Sequence, residues 1–195
     1  VLIKHESIAD RVLDHNKYLN NKPNERFLQL AAKTFDASLI EMFMPLLCGG
    51  QLVIAPDHFK ANTHALVQYM DQHEVTLGIF PPAYLQLLKA YALPHLKKII
   101  STGEAAIFED AVFFAQKLDF HNGYGPTETC VGASFYTVVE EEIAFNRQTG
   151  AIPIGKPFGN TKIYVVDEHM ELVPMGMPGE ICIAGVGTSL GYVNN

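Results

Sequence analysis

Residues 51–80, QLVIAPDHFKANTHALVQYMDQHEVTLGIF, hold the pattern that decides the fold. The stretch 51–55 is a short apolar run followed by a proline, which is typical of a buried strand. Apolar side chains then recur at helical spacing over residues 62–73, and residues 76–80 form a second apolar run that ends at two prolines. A strand, a helix and a second strand in this order predict a βαβ unit with parallel strands.

The same alternation of strand and helix continues on both sides of this unit. We predict strands at residues 25–31, 97–101 and 117–121 and helices at residues 5–18, 35–47, 83–91 and 108–118. Successive βαβ units cover the faces of their sheet with helices. The sequence therefore predicts the α/β class, with a mostly parallel sheet flanked by helices.

The sequence changes character in its last third. Three stretches are rich in β-branched and aromatic residues, which favours strands: residues 131–138, 161–167 and 180–184. Residues 140–142 are three glutamates and are typical of a solvated loop. We therefore divide the chain into an α/β part, residues 1–138, which carries the motifs described below, and a smaller antiparallel, barrel-like part, residues 139–195.

Composition and charge argue against several classes of partner. The chain has 195 residues and a net charge of -7, so it lacks the basic excess that nucleic acids or anionic membranes require. No apolar run reaches the ~20 residues of a membrane-spanning helix, and the first residues do not resemble a signal peptide. We expect neither a nucleic-acid partner nor a membrane partner.

The cysteines and histidines give no sign of a disulfide framework or of a transition-metal site. Cys48, Cys130 and Cys182 are far apart and odd in number, which favours reduced, mostly buried thiols. The eight histidines are scattered without a metal-binding spacing. We therefore expect a cytoplasmic protein.

Residues 122–128, NGYGPTE, form a glycine- and proline-rich turn directly after the strand predicted at residues 117–121. Such a turn is where open α/β sheets bind ligands. Tyr124 offers a flat face for a ring, Thr127 offers a donor for an anionic oxygen, and Glu128 offers an oxygen ligand for magnesium. The motif therefore indicates a nucleotide site.

Four motifs in order resemble those of the adenylation domains of nonribosomal peptide synthetases, which belong to the adenylate-forming, AMP-binding enzymes. They are FDAS with the following EMF (residues 35–43), NGYGPTE (122–128), IGKP with YVVD (154–167) and GEICIAG with GY (179–192). The resemblance covers essentially the whole chain. It implies an internal piece of the large N-terminal subdomain, with the phosphate loop and the C-terminal subdomain lying outside these residues.

The resemblance also implies a reaction. In this family ATP and Mg²⁺ convert an amino acid into an aminoacyl-adenylate, which then passes to the phosphopantetheine thiol of a carrier domain. The expected partners are the amino-acid substrate and the carrier (thiolation) and condensation domains of a synthetase that makes a secondary metabolite. We expect the 195 residues alone to be inactive, because parts of the family's active site lie outside them.

Residue roles follow from the resemblance, position by position. Thr127 and Glu128 are the expected catalytic residues, with Thr127 on the α-phosphate and Glu128 on Mg²⁺. The expected nucleotide-binding residues are Gly103, Glu104, Ala105, Asn122, Tyr124, Gly125 and Thr127.

Asp36 is similar to the aspartate that pairs with the α-ammonium of the amino acid. An ammonium that enters an apolar pocket needs an opposite charge, so a carboxylate is the group expected there. The other expected pocket residues are Ala37, Ile40, Ile79, Ile100, Thr102, Gly123, Val131 and Gly132. This lining is apolar, without a second carboxylate or a base, and it favours a hydrophobic or aromatic substrate.

Other interpretations remain open from the sequence. Asp36 is also a typical helix N-cap, Glu128 a typical surface acid, and the three isoleucines typical core residues. Ser189 and Leu190 stand where the family has Ala-Arg, so no arginine role carries over. An acyl- or aryl-CoA ligase of the same superfamily would share the nucleotide motif, and a noncatalytic nucleotide-binding scaffold module could keep the fold.

Overall fold

The computed structural model describes residues 1–194, except for the side chains of residues 144–146. The helices are α1 His5–Tyr18, α2 Ala37–Cys48, α3 Asp57–Lys60, α4 Thr63–Gln72, α5 Pro82–Leu88, α6 Phe108–Ala115 and α7 Glu140–Thr149. The strands are β1 Arg26–Gln29, β2 Gln51–Ile54, β3 Leu77–Phe80, β4 Lys98–Ser101, β5 Asp119–Tyr124, β6 Ser134–Thr137, β7 Lys156–Pro157, β8 Thr161–Val166 and β9 Glu180–Gly185.

Seven strands form one sheet in the order β2-β1-β3-β4-β5-β6-β7. The first five strands in this order are parallel, and β6 and β7 add antiparallel pairs at one edge. β8 and β9 form a separate antiparallel pair. The predicted α/β class, with a mostly parallel sheet and a smaller antiparallel part, is confirmed.

The sheet has an apolar core on each face. Every residue of β3 and β4 is buried. Burial on both faces is why β3 is a continuous apolar run in the sequence, whereas β4 has apolar residues only at its centre, Ile99 and Ile100. Successive residues of a strand point to opposite faces. Ile99 accordingly packs in a cluster with Leu66 of α4 and Phe114 of α6, whereas Ile100 packs in a cluster with Val12 of α1.

Three details differ from the sequence expectations. β5 runs on to Tyr124, which pairs with Ser134 of β6, so the first half of NGYGPTE is a strand. The three glutamates at 140–142 form the first turn of α7, where negative charge suits the helix dipole, and are not a loop. β7 joins the main sheet although it lies beyond residue 138. The division at that residue stays a prediction.

A polar joint fixes the small sheet against α1. Arg11 is fully buried, and its Nη2 donates a 3.0 Å hydrogen bond to Oγ1 of Thr161 in β8. Its guanidinium carbon lies 4.5 Å from the centre of the Phe158 ring. Ser7 Oγ donates a 2.6 Å bond to the carbonyl oxygen of Val186, just after β9. The segment that follows β9 is thereby held against α1.

All three cysteines are free, as expected, but only Cys130 is buried, since Cys48 and Cys182 are partly exposed. Burial raises the pKa of the Cys130 thiol to about 11, so this group stays protonated at neutral pH.

Within the described part of the chain, no helix combines the length and the apolar character that crossing a bilayer requires.

Candidate active site

Four parallel strands end at the same edge of the sheet, and the segments that follow them enclose a cavity of about 690 Å³, here called the substrate cavity. Its lining comes from Lys60 and from positions within residues 30–41, 79–84, 102–104 and 125–131. The carboxyl edge of a parallel sheet is where α/β folds bind ligands. The position of the cavity therefore matches the site predicted from the sequence.

Asp36 lines the substrate cavity at the start of α2. It occupies the N-cap position, yet its side chain makes no capping hydrogen bond. Its backbone is already helical, at φ -63° and ψ -31°, whereas a capping residue normally has extended backbone angles. The carboxylate does not cap α2, so it is available to a ligand in the cavity.

A second cavity of about 560 Å³, here called the nucleotide cavity, adjoins the first. Tyr124 lines it from the end of β5, and residues 150–152 together with Ile154 form another wall. The Nδ2 atom of Asn122 donates a 2.9 Å bond to the carbonyl oxygen of Pro153, which ties this wall to β5. Residues 102–104 and 125–126 line both cavities. The Asp36 side and the Tyr124 side of the site therefore meet along these two short segments.

The turn after β5 is tight, and its tightness depends on Gly125. A Cβ at this position would lie 2.5 Å from both the Ala133 nitrogen and the Gly132 Cα. The Ala133 N–H donates a 2.7 Å bond to the Tyr124 carbonyl oxygen, which closes the turn. Val131 has φ +69°, a left-handed angle that is strained for a β-branched residue. The chain is thus folded back sharply next to both cavities.

Most of the residues singled out in the sequence border one of the two cavities. The substrate cavity is lined by Asp36, Ala37, Ile79, Thr102, Gly103, Glu104, Gly125, Thr127 and Val131. The nucleotide cavity is lined by Thr102, Gly103, Glu104, Ala105, Asn122, Gly123, Tyr124 and Gly125.

Four of the expected site residues border neither cavity: Ile40, Ile100, Gly132 and Glu128. Ile40 and Ile100 are buried in the core cluster on the α1 side of the sheet. A Cβ at Gly132 would lie 3.2 Å from ring atoms of His15 and of Phe158, so this glycine packs against the core. The role of Ile40, Ile100 and Gly132 in binding the substrate side chain stays a prediction.

The expectation that the substrate cavity has neither a second carboxylate nor a base is wrong. Glu41, Glu104 and Lys60 all line it, and so does Tyr84. Glu41 left a signal in the sequence, since it is a lone acid among the apolar residues of α2. Lys60 left none, because it belongs to a helix of only four residues.

Glu41 is 1% exposed, and its Oε2 accepts three hydrogen bonds. The donors are the N–H of Leu30 at 3.0 Å, the N–H of Ala31 at 2.9 Å and Nε2 of Gln29 at 3.2 Å. Burial raises the pKa of the Glu41 carboxyl to about 7, against these three bonds and the charge of Lys60, which lower it. This carboxyl group therefore titrates near neutral pH.

Glu128 lies in a single 3₁₀ turn, Thr127–Thr129, beside the segment that follows β9. The hydroxyl of Tyr192 donates to Oε1 of Glu128, and the Ser189 N–H donates a 2.8 Å bond to the Glu128 carbonyl oxygen. The Tyr192 bond is the main reason that the pKa of the Glu128 carboxyl is lowered. Glu128 is thus ionised and held from outside the two cavities.

Glu128 is the carboxylate of the nucleotide motif that could supply an oxygen ligand to magnesium. No group of three or more His, Cys, Asp or Glu side chains comes together among the residues that the structure describes. Magnesium in nucleotide sites is held by one or two carboxylates, with phosphate oxygens and water completing its six ligands. A single ionised carboxylate such as Glu128 is consistent with that arrangement.

The chain belongs to the AMP-binding enzyme family, because the model of that family matches residues 1–193. Among curated proteins it is similar to tyrocidine synthase 3 of Brevibacillus parabrevis, at 35% identity over 206 residues. That match covers 100% of this chain and 3% of the synthase, so the chain spans a small part of that relative.

Solved structures agree with this membership. A four-domain nonribosomal peptide synthetase bound to AMP and glycine is 30% identical, with a TM-score of 0.86 over 97% of this chain and 14% of that one. The N-terminal subdomain of NpsA from Klebsiella oxytoca, in complex with 3-hydroxybenzoyl-AMSN, is 28% identical, with a TM-score of 0.84 over 100% of this chain and 50% of that one. The resemblance to peptide-synthetase adenylation domains is thereby confirmed, and the fold is that of part of their N-terminal subdomain.

Proposed function

We propose that this chain is the amino-acid- and adenine-binding part of an adenylation domain that makes an aminoacyl-adenylate from ATP and an amino acid. The observation that carries the proposal is the shared border of the two cavities. Asp36, whose carboxylate makes no capping hydrogen bond, and Thr127 of the nucleotide motif line the same cavity. Tyr124 lines the adjoining cavity. A site of this form can hold an ammonium and a nucleotide side by side.

Each of these residues has a defined task in the proposal. Asp36 pairs with the α-ammonium, which fixes the amino acid with its carboxylate towards the residue 125 turn. Tyr124 supports the adenine ring, and Thr127 donates to the α-phosphate. The amino-acid carboxylate then attacks the α-phosphorus and pyrophosphate leaves. Positioning of two anions is the main contribution of the protein to this reaction.

Magnesium bound at Glu128 would offset negative charge on the ATP phosphates. Glu128 itself supplies one oxygen ligand, and Tyr192 orients the carboxylate. The phosphopantetheine thiol of a carrier domain would next attack the aminoacyl carbonyl, forming a thioester with release of AMP, and a condensation domain would use the thioester. The cytoplasmic location expected from the thiols belongs to the same proposal.

We further infer that the preferred substrate has a hydrophobic or aromatic side chain. The neighbours of Asp36 in the cavity lining include Ala37, Ile79 and Val131, which are apolar. Glu41 of α2 and Lys60 of α3 line the same cavity, so a panel of all common amino acids is the appropriate test.

The test is amino-acid-dependent exchange of pyrophosphate into ATP, measured in a complete adenylation domain that contains these residues. We expect turnover with a hydrophobic or aromatic amino acid and a fall of at least about 100-fold in Asp36→Ala, because an unpaired buried charge costs about 3 kcal/mol or more. Asp119→Ala is the matched control, since Asp119 is exposed at the opposite end of β5.

Three results would contradict the proposal. Full amino-acid-dependent pyrophosphate exchange in the Asp36→Ala variant would show that Asp36 does not bind the α-ammonium. Turnover with a fatty or aryl acid and coenzyme A, unaffected by that substitution, would instead indicate an acyl- or aryl-CoA ligase, and nucleotide binding without turnover would indicate a scaffold module.

A further inference from the structure

The link between β1 and α2 forms one wall of the substrate cavity. Leu30, Ala31, Ala32, Phe35 and Asp36 all line the cavity, so the path of this short segment sets the shape of the site. Its last residues are fixed because α2 begins directly after Asp36. What holds its first residues is therefore important for the position of the wall.

The first residues lie beyond the strand ladder. The last pair of β1 with its neighbour β2 joins Gln29 to Ile54, and the N–H groups of Leu30 and Ala31 follow that pair. Both N–H groups donate to Oε2 of Glu41. The two N–H groups are partly buried, and Glu41 supplies the acceptor that the strand ladder no longer provides.

Gln29 provides a second hydrogen bond to Ala31. Its Nε2 donates a 2.6 Å bond to the Ala31 carbonyl oxygen and a 3.2 Å bond to Glu41 Oε2. Ala31 is thus held at its N–H by Glu41 and at its carbonyl by Gln29. Because Glu41 and Asp36 are both carried by the start of α2, the same helix fixes both ends of the wall.

We propose that Glu41 is a positioning residue of the substrate site: through Leu30 and Ala31 it sets the wall that adjoins Asp36, and thereby the fit of the amino acid. The effect on the substrate rests on the proposed function, whereas the anchoring of the wall does not. Glu41 acts through the backbone and is not assigned a contact with the reacting atoms.

Four variants of the complete adenylation domain separate this role from general stability. Glu41→Gln keeps an acceptor oxygen in a side chain of the same size, and Glu41→Leu keeps much of the volume but removes the acceptor. Gln29→Leu frees the Ala31 carbonyl oxygen and leaves Glu41 in place. Val67→Ala, in the core cluster on the other face of the sheet, is the control for loss of stability alone.

Two readouts are needed. Amide hydrogen exchange of Leu30 and Ala31 reports the anchor, and the kinetic constants of pyrophosphate exchange report the substrate site. For Glu41→Leu we expect exchange of these amides to accelerate at least ~10-fold and the amino-acid KM to rise about 10-fold, with kcat and the KM for ATP within about 3-fold of the wild type. Glu41→Gln restores both readouts to near the wild-type values.

The remaining outcomes are equally informative. Val67→Ala lowers the unfolding temperature without changing the amino-acid KM, and an equal rise in KM for Val67→Ala would overturn the proposal. Should Glu41→Leu fail to fold, Gln29→Leu still has to accelerate exchange at Ala31 and raise KM, and no change in either would overturn the proposal too. If the wild type activates no amino acid, the proposed function fails, while amide exchange still tests the anchor.

Discussion

Glu41 gives a quantitative prediction about stability and pH. Its carboxyl group has an ordinary pKa of 4.5, and in the folded chain burial raises the pKa to about 7. Between these two values the folded state binds a proton that the unfolded state has released. Stability therefore falls as pH rises through this window, and it stays at the lower value above it.

The magnitude follows from the shift. A rise from 4.5 to about 7 corresponds to about 3 kcal/mol of folding free energy, at about 1.4 kcal/mol for each pKa unit. Glutamine at position 41 does not titrate, so Glu41→Gln lacks this contribution. We therefore expect the stability of the variant relative to the wild type to increase by about 3 kcal/mol between pH 4.5 and pH 8.

The measurement is urea unfolding of both proteins, followed by circular dichroism at several values of pH across this range. Taking the difference between the two proteins cancels the titration of every other group that the substitution leaves unchanged. A difference that is independent of pH would refute the reasoning. A difference of opposite sign would mean that the bonds from Leu30, Ala31 and Gln29 outweigh the cost of burial.

Three further predictions concern individual contacts in the fold. Gly125→Ala places a methyl group against the Ala133 nitrogen, so we expect a loss of about 1–3 kcal/mol in urea unfolding together with weaker nucleotide binding. Tyr192→Phe removes the hydrogen bond to Glu128, and NMR titration of that carboxyl should show its pKa rising towards the ordinary value. Lys98→Met breaks the largely buried ion pair between Lys98 and Glu25, and we expect it to lower the free energy of unfolding in urea by about 3 kcal/mol. A loss near zero would show that the pair is well solvated.

The order of strands and helices could be predicted because parallel strands that are buried on both faces are short apolar runs in the sequence. Residues 77–80 are apolar or glycine throughout, and all four are buried between two layers of helices. β7 could not be predicted in this way. Both of its residues, Lys156 and Pro157, are exposed, and they join the sheet only through their pairing with β6.

The site was predictable where its residues are adjacent in the chain. The turn at residues 122–128 carries its own glycines and follows a strand, so its place at the sheet edge follows from local pattern. Glu41 acts on Leu30 and Ala31, about ten residues earlier, and no local pattern links an acid in a helix to two backbone N–H groups of another segment. Such contacts depend on tertiary packing.

The central claim is that Asp36 and the residue 125 turn serve a single bound molecule. The most direct test is calorimetric titration of a stable aminoacyl-adenylate analogue, and of AMP alone, into the complete domain and its Asp36→Ala variant. We expect the variant to bind the analogue about 100-fold more weakly and to bind AMP as the wild type does. Equal affinity of both proteins for the analogue, or an equal loss of AMP binding, would contradict the claim.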